Sequence, residues 1–248
     1  MHISLQAETL GILFGIPITN SLILSVVTAF LLVGGGLLVA YSLKVIPNRV
    51  QGAVEIVLDG ILSFMAQTLG NMEQAKKFFP LIATIFLFIL LNNWIGVLPG
   101  IGSIGFFEMS NGKEVFVPLF RSANSDLNTT FALALISMFA IHFYGIRKLG
   151  ILKHLGKFFV FTRGPINFFV GILELIGEFA KVLSFSFRLF GNIFAGEVLL
   201  LIIMFLVPFV VPLPFLLLEF FVGFIQALVF AMLTMIFLKM ATVEVEHQ

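Results

Sequence analysis

The chain has 248 residues, of which 60% are hydrophobic and only 11% charged, and its mean hydropathy is +1.14. A soluble domain carries about a quarter of its residues as charges, so this composition excludes a cytosolic enzyme and points to the bilayer. Basic and acidic residues nearly cancel at a net charge of +1, which offers nucleic acid no attractive field, and the lack of cysteine excludes disulfides, thiolate-held clusters and thiol nucleophiles.

Five runs contain no Asp, Glu, Lys or Arg: 9–43, 78–107, 127–146, 198–218 and 220–238. Each approaches or exceeds the roughly 20 residues that a helix needs to span a bilayer. The first 20 residues show no Lys or Arg ahead of a short apolar stretch, so they are expected to be mature sequence and not a cleaved signal. Pro17 and Asn20 interrupt the first run, which places the first span at 21–43 and leaves 1–20 as an outside N-terminal segment. Residues 44–77 mix Glu55, Asp59 and Glu73 with Ile, Val, Leu and Phe, the pattern of an amphipathic helix on the inside surface. Residues 78–146 read as a helical hairpin. Its first helix ends near Leu98, before Pro99 and a glycine cluster, and 100–126 is expected as an extramembrane outside loop. Residues 164–240 read as a second hairpin of long helices, with Pro208, Pro212 and Pro214 stiffening its turn.

Lys44, Arg49, Lys76 and Lys77 in the first connection, and Arg147, Lys148, Lys153, Lys157 and Arg163 in the third, place both on the inside by the positive-inside rule. The N-terminus then lies outside and the C-terminus inside. The expected fold is an all-α membrane protein: an N-terminal span, a surface amphipathic helix, a helical hairpin and two long tilted membrane helices.

The chemistry concentrates in the last hairpin. At about 100° per residue, Glu174, Lys181, Arg188 and Asn192 fall on one polar stripe of an otherwise apolar helix. An Arg at mid-membrane costs about 2.5–3.5 kcal/mol even on mild insertion scales, and a guanidinium cannot relieve that cost by losing its proton. A carboxylate partner is therefore expected. Glu174 and Glu197 are the candidates within the chain, but neither stands at the local i to i+4 spacing, which leaves a partner on another chain equally open. On the following helix Glu219 and Gln226 are seven residues apart and share a face, and the proline turn would fold Glu219 towards Glu197. Intramembrane glutamates are usually proton or ion sites. Other motif matches carry little: Gly100, Gly102 and Gly105 follow an apolar helix and not a strand, Asn128-Thr129-Thr130 reads as a helix start, and no zinc-binding His pair or Ser and His arrangement of a hydrolase is present.

The segment SFSFRLFGNIFAGE (184–197) closely resembles the signature of subunit a of the F-type ATP synthase. The resemblance extends to NNWIGVLPG (92–100), to ANSDLNTT (123–130), to Glu174 upstream of the arginine, and to Glu219 and Gln226 on the last helix. It implies a non-catalytic, cofactor-free stator subunit. Its long hairpin would curve against a ring of c subunits, with subunit b of the peripheral stalk and the lipid bilayer as the other partners, in an energy-transducing membrane such as a bacterial inner membrane. By the same resemblance Arg188 is the essential arginine. Asn192, Glu197, Glu219 and Gln226 line a proton entry half-channel with Asn93 nearby, and Glu174 and Ser184 line the exit half-channel. Some members carry His at the position of Gly196 or of Glu219; this chain has neither, so a His-Glu relay is not implied. The competing reading is a proton-coupled secondary transporter using Glu197, Glu219 and Arg188, but such folds are built from internal repeats and no second copy of the Arg188 segment is found.

Overall fold

The computed structural model describes residues 7–13, 15–110, 113–156, 165–208 and 210–242. Among them the elements in chain order are β1 (Thr9–Leu13), β2 (Ile16–Thr19), α1 (Asn20–Tyr41), α2 (Arg49–Leu69), α3 (Met72–Val97), β3 (Gly105–Ser110), β4 (Lys113–Pro118), α4 (Leu127–Leu149), α5 (Ile151–Leu155), α6 (Pro165–Leu206) and α7 (Pro212–Thr242). Helix dominates. Six of the helices, α1 to α4, α6 and α7, are long and apolar enough to cross a membrane.

The helix ends follow from local chemistry. Thr19, Asn48, Asn71 and Asp126 each accept a backbone N–H with the side chain at the start of α1, α2, α3 and α4. The stretch 44–77, expected as one surface helix, is divided: Gly70 adopts φ +69° and stops α2, and Asn71 starts α3 six residues earlier than the apolar run suggests. Pro80 sits inside α3 without ending it, and Thr84 Oγ1 donates to the Pro80 carbonyl at 2.6 Å. The last hairpin runs as expected as two long helices joined by a short proline-containing turn. Its expected start at Gly164, and the inside cations Lys157 and Arg163, lie outside the described residues.

Segments 1–20 and 100–126 hold structure that apolar periodicity did not suggest. β1 and β2 pair antiparallel from Thr9↔Thr19 to Leu13↔Ile16, and β3 and β4 from Gly105↔Pro118 to Ser110↔Lys113. The end of the second segment is not a solvated loop. Ser122 to Asp126, including a 3₁₀ turn at Ala123–Ser125, is buried and packs against α1, α3, α4 and α6.

The apolar core joins α3 (Phe78, Ile82, Ile89), α4 (Met138, Ile141), α6 (Phe185, Leu189, Ile193) and α7 (Phe230, Met235, Leu238), with Met65 of α2 beneath. Elsewhere large side chains such as Phe30, Phe139, Phe179, Phe205 and Phe221 face outward. That much exposed apolar surface suits lipid and not water. At 1.5 Å per residue the 42 residues of α6 extend about 63 Å, roughly twice the hydrocarbon thickness of a bilayer.

Candidate functional site

Helical periodicity sorts α6 into two faces. Phe185, Ser186, Leu189 and Ile193 are buried, while Ser184, Phe187, Arg188, Gly191, Asn192 and Ala195 lie on the open side. Ser186 fixes the packed face to α4 through a hydroxyl pair with Thr130 at 3.1 Å. Arg188 is thereby held outward. Its Nη2 donates to Ser184 Oγ at 3.0 Å, one turn back, and among the described residues no carboxylate lies within ion-pairing distance of it. The internal salt bridge to Glu174 or Glu197 is therefore absent from this arrangement. Arg188 instead borders a small crevice with Gln226 of α7, lined also by Phe185, Leu189, Phe230 and Leu233.

A second polar group forms about 14 Å further along α6, nine residues on. Glu197 accepts from Arg121, whose Nε stands 3.2 Å from its Oε1, and the Arg121 guanidinium also lies over the Phe194 ring at 5.9 Å from its centroid. Glu219 of α7 is 6% exposed and lays its carboxyl directly against the Cα of Gly196, in the volume that any side chain at 196 would occupy. Its Oε1 is buried with no hydrogen-bond partner among the described residues. The hairpin therefore brings Glu197 and Glu219 together, as expected from the turn, and the glycine is what lets the second carboxyl in.

Asn93, expected near the entry residues, lies on α3 against α7. It is fully buried, donates from Nδ2 to the Gly223 carbonyl of α7 at 2.9 Å, and accepts from Asn124 Nδ2 at 2.7 Å. Trp94 beside it donates from Nε1 to the Phe220 carbonyl at 3.0 Å. These two residues hold α7 by its backbone, at carbonyls about one turn apart and next to Glu219. On the outer side of the same polar zone Asp126 accepts from Ser21 Oγ at 2.8 Å while its other oxygen caps α4, and Thr28 donates to Asn92 at 3.0 Å, which ties α1 to the bundle.

Towards the other end of α6, Glu174 is exposed and has no ion-pair partner among the described residues. Lys181 pairs with Glu178, at 2.7 Å, and not with Glu174; Glu178 also lies 3.7 Å from His142 Nε2 on α4. A seven-residue separation, about 10 Å of rise, is too long for contact, whereas i to i+3 is not.

Sequence reasoning missed Arg121 and the Glu178, Lys181 and His142 group as partners. For Arg121 the available signal was the segment RSANSD, where Ser122, Ala123 and Ser125 are small enough to enter a helical bundle and Asp126 is poised to cap the next helix. For the second group it was Glu178 preceding Lys181 by one turn.

Residues 21–239 match the family model described as ATP synthase A chain, nearly the whole chain and all of the polar residues above. The chain belongs to the ATP synthase subunit a family. It is 38% identical over 206 residues to ATP synthase subunit a of Geotalea daltonii, covering 82% of this chain and 79% of that one. Against ATP synthase subunit a of Trichlorobacter lovleyi identity is 36% over 223 residues, covering 89% and 86%, and against that of Campylobacter jejuni strain 81-176 it is 35% over 205 residues, covering 82% and 80%. With six span-length apolar helices and bacterial relatives of this kind, this subunit a family member is a multi-pass bacterial membrane protein.

Proposed function

We propose that this chain is the proton-conducting stator subunit of an Fo sector, forming two half-channels against a ring of c subunits and passing each proton to that ring and back. The observation that carries this reading is Arg188: a permanent cation on the open face of an apolar helix, braced by Ser184 and unmatched by any carboxylate among the described residues. Its insertion cost of about 2.5–3.5 kcal/mol calls for an anion outside this chain. A rotor carboxylate supplies that anion when deprotonated. Held near Arg188, the carboxylate cannot pass in its charged form along lipid, and the guanidinium bars a proton from hopping directly between the two sides. A proton dropping through the membrane potential releases about 2.3 kcal/mol per 100 mV, so a rotor that collects several before each ATP is required, and a fixed separator is what makes it turn.

In this reading Glu197, Glu219, Gln226 and Asn192 belong to the entry route from the outside, and Ser184 and Glu174 to the exit route on the inside. Asn93 supports the entry route by fixing α7 and does not itself carry protons. The coupling ion is H⁺, the further partner is the peripheral stalk, and the location is the bacterial inner membrane. The test is Arg188→Ala in membranes of a host lacking its own subunit a. Expected is loss of proton-driven ATP synthesis with normal membrane-bound enzyme. Normal synthesis by an assembled Arg188→Ala enzyme would refute the reading.

A further inference from the structure

Two carboxyls meet where α6 and α7 approach, and the structure treats them unequally. Glu197 is held by the guanidinium of Arg121, a side chain only 10% exposed that arrives from the segment between β4 and α4. Glu219 receives no cation among the described residues. It rests on the bare Cα of Gly196 with Oε1 buried and unpartnered. The Arg121 guanidinium cannot give up its charge, and its Nε claims the Glu197 carboxylate at 3.2 Å. A carboxyl packed beside an anion, with an oxygen unclaimed by any donor, has a free position for one.

We propose that Arg121 is a positioning residue that fixes Glu197 as a standing counter-charge, so that Glu219 alone is the proton-exchanging carboxyl of the outer route. This deepens the entry-route assignment made above and rests on it. The balance is simple: the Arg121 and Glu197 pair is neutral in sum, and one proton is taken up and released at Glu219, with no other bond made or broken. Arg121 also ties the start of the buried segment 122–126 to α6, from a position 76 residues away in the chain.

The pairing makes a charge-cancellation experiment decisive. In the whole enzyme, carried in membrane vesicles of a host without its own subunit a, Arg121→Gln leaves Glu197 as an uncompensated charge beside Glu219. The pair is partly buried, and breaking it on one side leaves a carboxylate without its cation beside Glu219, so passive proton conduction through Fo is expected to fall about tenfold or more. Removing both charges, Arg121→Gln with Glu197→Gln, is expected to restore assembly and to raise conduction at least about threefold above that of Arg121→Gln alone, because replacing both partners of a pair is often close to neutral for folding. Glu219→Gln is expected to block conduction in either background. Where Arg121→Gln fails to assemble, restored assembly in the double variant supports the pair, and Arg121→Lys, which keeps the charge, is expected to assemble.

The proposal is overturned if the double variant stays as inactive, or as unassembled, as Arg121→Gln alone. It is also overturned if Glu197→Gln blocks conduction while Glu219→Gln does not. The wider entry-route assignment fails separately, if Glu197→Gln and Glu219→Gln both conduct as the parent does.

Discussion

The contact between Glu219 and Gly196 gives a sharp prediction, since the Cβ of an alanine at 196 and the Glu219 carboxyl would claim one volume. In Gly196→Ala either the carboxyl swings away or α6 and α7 separate locally. Overpacking of a close-packed interior costs about 1–3 kcal/mol, and because the obstructing group ends a side chain and is not backbone, the cost should fall mainly on carboxyl position. Moving a proton site out of line by about 1 Å can cost on the order of a hundredfold in rate. Proton conduction is thus expected to fall between tenfold and a hundredfold, while the thermal stability of the purified complex falls only slightly. Shortening the side chain provides the control. Glu219→Asp withdraws the carboxyl by one carbon–carbon bond, about 1.5 Å, and by itself removes one buried methylene worth about 0.8 kcal/mol. Combined with Gly196→Ala it should recover activity relative to the alanine variant, a coupling that a double-mutant cycle measures directly. Parent-like conduction in Gly196→Ala, or simple additivity of the two changes, would refute the packing described.

Lys181→Ala should be as damaging to assembly as Glu178→Gln or more so, by about 1–3 kcal/mol, because it leaves a Glu178 side chain that is 17% exposed with only His142 at 3.7 Å; Glu174→Gln, with no ion-pair partner among the described residues to strand, should lower the synthesis rate and leave assembly intact, as immunoblots of membrane fractions beside synthesis rates would show. Asn93→Leu removes two buried hydrogen bonds and leaves the Asn124 amide with only its 3.4 Å bond to the Ile89 carbonyl, so a loss of about 1–3 kcal/mol in stability is expected. Thermal inactivation of the detergent-solubilised enzyme measures it, and an unshifted inactivation temperature would contradict the clamp.

Much of the fold is written in long apolar runs, because a bilayer helix must satisfy its own backbone and advertise itself by length. The boundaries of α6 and α7 follow from that rule and from three prolines. The segment 100–126 does not, since a run with Asn, Ser, Asp and Arg looks solvated until its partners are known. Ser21 lies 105 residues from Asp126, and Glu197 lies 76 from Arg121. No local pattern announces such pairs. Gly70 is a similar case: a single left-handed residue divides what the mixed composition of 44–77 presents as one helix. In the site, the common stripe of Glu174, Lys181, Arg188 and Asn192 was legible because helical angle alone groups them, whereas whether Arg188 pairs within the chain was not, and the approach of Glu219 to Glu197 followed from the turn. The grip of Asn93 on α7 was not legible, because its acceptor is a backbone carbonyl, which every residue possesses and no sequence distinguishes.

That same grip has a mechanical meaning. Asn93 and Trp94 take hold of α7 at the carbonyls of Phe220 and Gly223, not at side chains. A sideways load on the long hairpin, as a turning neighbour would impose, therefore passes through two main-chain anchor points into α3 and the core of the bundle. Side-chain changes along α7 would leave those anchors in place. The exception is position 223, where a Cβ would stand 3.0 Å from Asn93 Cβ and push the anchor off its seat. In the proposed stator role, the surface offered to a rotor can thus vary in sequence while the bearing beneath it keeps its alignment.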